Sequence, residues 1–276
     1  MFWKLLKHEF RAVGPMVLLT WAAVVGFTAL SSLFGLLSRD IDELFLIPMM
    51  ITTGISALVA FAAVIIVYVL IIRRFYVNIY GDEGYLTLTL PVTRGSIIWS
   101  KLICAIIFMI GTILIVCGSV LLRSSVISTD IVEGAIDMLS IIANRIVSFT
   151  GTPVWVASTE LFFIMATSLV KSILVFYAAI SLGQFFTGHR LLGSVLGYLG
   201  LNVVGRALNS GYMFIMGLSQ KGIEILEQFY YGYSLDSLTG FEVQVSIILY
   251  IVLIALEAAM LWILTDLIMR KAVNLQ

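Results

Sequence analysis

Of the 276 residues, 61% are apolar and only 12% charged, and the mean hydropathy is +1.10, whereas a soluble domain is about half apolar and a quarter charged. Water is therefore not the solvent of this chain. Sixteen basic and sixteen acidic side chains leave no net charge, which excludes the broad basic field that nucleic-acid binding needs.

A spanning helix takes about 20 mostly apolar residues to cross about 30 Å of hydrocarbon, and several segments reach that length. Residues 2–12 come first, with Phe2, Leu5, Leu6 and Phe10 on one helical stripe and Lys4, Lys7, His8 and Arg11 towards the other. That pattern predicts an amphipathic helix lying in the interface. The apolar run from Val13 to Leu37 exceeds the stretch of about 7 to 15 residues in a secretory signal and reads as a retained first span, about 13–37. A second span is predicted at about 46–72, ending at Arg73 and Arg74.

Residues 73–101 are polar, and a third span follows at about 102–122. It contains Cys104 and Cys117, which a helix would hold about 20 Å apart, too far for a disulfide. No His/Cys cluster has metal-ligand spacing. Residues 123–155 suggest a short amphipathic helix outside the hydrocarbon core. A fourth span is predicted at about 156–186 and a fifth at 191–209, where Asn202, Arg206 and Asn209 interrupt the apolar run. That interruption predicts a re-entrant element within 206–240, before a sixth span at about 243–268. The chain reads as one all-α transmembrane domain, 1–276, with no separate soluble domain. Basic residues in alternate loops divide ten against five, which places both termini in the cytoplasm and requires an even number of spans.

Two ionisable residues fall well inside spans, Lys171 and Glu257. Burying a lone charge there costs several kcal/mol. Both lie at similar counted depth, so they can form a structural ion pair or line a pathway. Glu160, Thr167 and Lys171 share one helical face, and Tyr250 and Glu257 another.

The segment from Arg73 to Leu102 is the most informative. Gly81 and Gly84 permit a tight turn, and Pro91 followed by Thr93 suits a helix start. The run Gly81-Asp82-Glu83-Gly84-Tyr85 through Leu90, Pro91, Thr93 and Arg94 to Lys101 resembles the first cytoplasmic loop of type-two ABC exporter permeases. The layout resembles that family too, as does the closing stretch of residues 270–275. The resemblance implies a coupling helix between spans two and three, re-entrant helices between spans five and six, and contact of residues 81–101 with a separate ATPase subunit. It further implies dimerisation with a second permease, identical or related. Its setting would be the lipids of a bacterial plasma membrane, with outward transport of a peptide-like, antimicrobial or amphipathic substrate. The chain has no G-x-x-x-x-G-K-[ST] phosphate loop, so it is read as a non-enzyme without cofactor of its own, with ATP and Mg on the partner ATPase. The competing reading is a non-transporting scaffold or sensor that signals through the same loop.

Overall fold

A computed structural model of the protein describes residues 2–40, 46–81, 84, 92–127, 134, 137, 140–141, 144, 152–186, 188–231 and 240–272. Seven helices form among them: α1 (Phe2–Asp40), α2 (Leu46–Tyr80), α3 (Arg94–Ile127), α4 (Val154–Gly183), α5 (Arg190–Gly217), α6 (Gln220–Tyr231) and α7 (Gly240–Ala272). All except α6 are long and apolar enough to cross a bilayer, and no strand occurs among the described residues. The chain is a multi-pass membrane protein. Its two compact units are Met1–Met138, holding α1 to α3, and Leu139–Gln276, holding α4 to α7.

In the first unit α1 packs along both α2 and α3, burying Val17, Val24, Val67, Phe75, Ile98 and Leu102. Ala60 and Ala63 meet Val24, and their small side chains let α1 and α2 approach closely. Leu19, Leu58, Phe61 and Leu114 are exposed, as expected of faces whose solvent is hydrocarbon. Polar contacts also join the helices. Trp21 Nε1 donates to Thr112 Oγ1 at 3.0 Å, the hydroxyls of Ser31 and Thr53 lie 2.8 Å apart, and Arg123 Nη1 donates to Ser56 Oγ at 2.6 Å.

Beside the Trp21 contact, a Cβ added at Gly111 would lie 2.6 Å from two carbons of the indole ring, which Thr112 holds in place. Gly111→Ala should therefore lower stability by about 1–3 kcal/mol through overpacking, read as a lower thermal midpoint in detergent. Gly118→Ala, in the same helix with nothing within 4 Å of the added atom, should leave the midpoint at or above that of the wild type.

Three element boundaries in the first unit differ from those expected. The interfacial helix and first span are one 39-residue helix with Pro15 inside it, a break that membrane helices tolerate because neighbours re-satisfy the freed backbone groups. Helix α2 continues past Arg73 and Arg74 to Tyr80 because Phe75, Asn78 and Ile79 are buried, so this stretch is packed rather than looped. Helix α3 begins at Arg94 and runs through Lys101 into the third span without interruption.

In the second unit α4 packs against α5 and α7, with its C-terminal half supplying Ile173, Leu174, Tyr177, Ala178 and Ala179 to the core. The expected interruption at Asn202 to Asn209 does not break α5, which extends to Gly217. Asn202 Nδ2 donates to the Tyr198 carbonyl and Asn209 Nδ2 to the Gly205 carbonyl, each at 2.8 Å. Both Nδ2 groups thus donate to the helix's own backbone, so the helix carries these side chains without unwinding. After Leu218, the Ser219 hydroxyl accepts the Gly222 amide at 2.9 Å and caps α6. The rest of the expected re-entrant stretch, 232–239, lies outside the described residues, as does most of 123–155.

Candidate functional site

Two polar clusters stand inside the helical units, one in each. In the second unit Lys171 of α4 pairs with Glu257 Oε2 of α7, and Asn209 Nδ2 of α5 donates to Glu257 Oε1 at 3.3 Å. Three helices thus meet at one carboxylate. The Glu257 side chain is 5% exposed and that of Lys171 23%, and both residues lie about three turns or more from either end of their helices. A charge at that depth persists only when paired or wetted, and here each supplies the other's counter-charge. Glu160 Oε1 accepts from Gln244 Nε2 at 3.2 Å, forming a second polar contact between α4 and α7.

Beside this pair lies a cavity of about 270 Å³ lined by Ser168, Lys171, Ser172, Val175, Phe176, Tyr198, Asn202, Tyr250 and Ile254. One wall is aromatic, with Phe176 and Tyr198 stacked at 4.8 Å. Tyr250 packs at 5.7 Å on Tyr212, whose hydroxyl donates to the Ser246 carbonyl at 2.8 Å. The lining combines hydroxyl groups, an amide and an ammonium with aromatic rings, which suits an amphipathic guest better than a purely apolar one.

In the first unit the centre is Glu9 of α1, 7% exposed. Glu9 Oε1 accepts from Lys101 Nζ of α3 at 2.6 Å and from Asn78 Nδ2 of α2 at 3.2 Å, while Oε2 accepts from Arg74 Nε at 3.2 Å. Asn78 Oδ1 is buried with no hydrogen-bond partner among the described residues. Glu9 therefore ties together the two helices that flank the 81–94 segment. The Gly81 amide donates to the Tyr76 carbonyl at 3.1 Å and the Gly84 amide to the Gly81 carbonyl at 2.8 Å, closing the end of α2. A Cβ at Gly81 would lie 2.8 Å from the Val77 carbonyl oxygen, so this turn needs glycine. Across the segment, the Thr93 carbonyl accepts the Ser96 amide at 2.9 Å, opening α3.

Of the expected coupling residues, Gly81, Gly84, Thr93, Arg94 and Lys101 are described, whereas Asp82, Glu83, Tyr85, Leu90 and Pro91 lie outside the described residues. Arg94 is partly exposed at the start of α3. Lys101 is 4% exposed and turns inward to Glu9, so its ammonium positions α3 rather than facing outward. Glu9 is the residue that sequence reasoning missed. Its position three after Leu6 and four before Val13, both buried, puts a carboxylate on the apolar side of the amphipathic helix, and that misplacement was the available signal.

Among the described residues no group of three or more His, Cys, Asp or Glu side chains sits together as a metal site. No family model, curated protein or solved structure matches the chain.

Proposed function

We propose that this chain is the permease subunit of an ATP-driven exporter, forming the translocation pathway with a second permease while a separate ATPase subunit supplies the energy. The observation that carries the transport reading is the Lys171–Glu257–Asn209 cluster beside a polar and aromatic cavity, deep within a spanning unit. Intramembrane ionisable groups facing such a cavity are characteristic of passage rather than of plain anchoring. The guest that suits this lining is amphipathic or peptide-like.

The ATP-driven reading rests on the resemblance of residues 81–101 to an exporter coupling loop. The Glu9 cluster supports it mechanically, because a push on the 81–94 segment is delivered to Asn78 and Arg74 on one flank and Lys101 on the other, and through Glu9 to α1. In this reading the coupling helix is contained in 81–101, the re-entrant element falls within 206–240, past the end of α5, and both termini are cytoplasmic in a bacterial plasma membrane.

The test does not require the transported compound. Glu83→Lys and Arg94→Glu should each weaken co-purification of the ATPase subunit with the chain by about tenfold, since a reversed charge at a contact loses an attraction and adds a repulsion. Thermal midpoints should stay near the wild type. Undiminished association in both variants would remove residues 81–94 from the contact and favour a scaffold or sensor.

A further inference from the structure

A second cavity, of about 180 Å³, lies in the first unit between α1 and α2, lined by Ala12, Val13, Met16, Leu70, Arg73, Arg74 and Val77. Its position along both helices is specific. On α1 its lining begins where the basic stretch gives way to the apolar run, and on α2 it runs from Leu70 at the end of the apolar run past Arg73 and Arg74 to Val77. With six spans, that position falls at the boundary between hydrocarbon and headgroup, and the guanidinium groups are set among apolar walls.

The two arginines are engaged differently. Arg74 Nε donates to Glu9 at 3.2 Å, whereas Arg73 is exposed and no acidic partner is bonded to it among the described residues. The preceding turns of α1 add Lys4, Lys7 and Arg11, all exposed, and the nearest carboxylate on that helix, Glu9, is already occupied by three donors. Among the described residues around the groove the basic side chains outnumber the acidic ones, so the local field there is positive.

We infer that this groove binds an anionic phospholipid, with the phosphodiester held by Arg73 and an acyl chain lying along Met16 and Leu70. The charge pattern selects this occupant. Basic pockets between spanning helices at the interface bind anionic headgroups, and a guanidinium matches phosphate oxygens with a fork of two N–H donors. The apolar walls favour a lipid over a free anion, because Met16 and Leu70 line the same groove as Arg73 and give an acyl chain a surface that an inorganic ion does not use.

Native mass spectrometry of the intact chain, delipidated in detergent and titrated with phosphatidylglycerol or phosphatidylcholine, tests the site. One retained phosphatidylglycerol should bind at least tenfold more tightly than phosphatidylcholine. Arg73→Gln should weaken it about fivefold, the worth of one interfacial basic residue, and should weaken phosphatidylcholine less, because its choline ammonium already offsets the phosphodiester charge; an unchanged circular dichroism spectrum reports that the variant is folded. Met16→Trp, which fills the groove and leaves every charge in place, should weaken phosphatidylglycerol as well. Excess inorganic phosphate or water-soluble glycerophosphoglycerol should not compete. Equal retention of the two lipids, indifference to both substitutions, or displacement by inorganic phosphate would each overturn the proposal, the last leaving only a free-anion site.

Discussion

Glu9→Ala is expected to destabilise the first unit by about 3–5 kcal/mol, the cost of leaving a buried charge without its partner. The side chain of Lys101 is 3% exposed, so its ammonium loses its counter-charge without gaining water. Arg74 and Asn78 lose an acceptor in the same step. Glu9→Gln keeps the shape and one carbonyl acceptor and should fall between wild type and alanine. Lys101→Met is the informative second arm. The double variant Glu9→Ala with Lys101→Met should cost less than the two single changes added together, because each single change strands a charge that the double change removes. Thermal or chemical unfolding in detergent reads all four, and strictly additive losses would show that the pair does not act as a unit.

The corresponding expectation in the second unit concerns Lys171 and Glu257. Lys171→Met leaves Glu257 with Asn209 as its remaining donor at 3.3 Å, and Glu257→Leu leaves the ammonium facing the cavity. Because Lys171 is partly exposed to that cavity, water relieves part of its charge, and the Glu257 change should be the milder of the two. We expect a loss of about 2–4 kcal/mol for Lys171→Met, with recovery of at least half when Glu257→Leu is added. A pathway role adds a second readout that a structural pair does not move. The double variant should regain stability without regaining transport. Full transport in a stable double variant would make the pair structural alone.

The six spans were legible in the sequence because length and hydropathy are local properties and a bilayer demands about the same of every crossing segment. Lys171 and Glu257 were legible for the same reason, since counting from the ends of their spans placed them at one depth. The helix ends were not. Arg73 and Arg74 look like the edge of the membrane, yet α2 continues because Phe75 and Ile79 are buried, a fact set by packing and not by local composition. Lys101 looked like the end of an exposed loop, and only a carboxylate 92 positions earlier explains why it is buried. Asn209 was visible as a polar interruption, but its role reversed. Instead of breaking the helix, it bonds to its own backbone and becomes the third member of the Glu257 cluster.

The two units each place a carboxylate among donors from two other helices, Glu9 in one and Glu257 in the other, but at different depths. Glu9 lies on the turns that precede the first apolar run, beside the loop that resembles a coupling element, and Glu257 lies near the middle of α7.

The permease reading is tested most directly by purifying the chain in mild detergent after expression with its neighbouring genes, followed by mass analysis and an ATPase assay. An associated subunit carrying a phosphate-loop motif, measurable ATP hydrolysis, and two permease chains in each complex are expected. A chain that purifies alone, with no ATPase activity under conditions that preserve its helical fold, would contradict that reading.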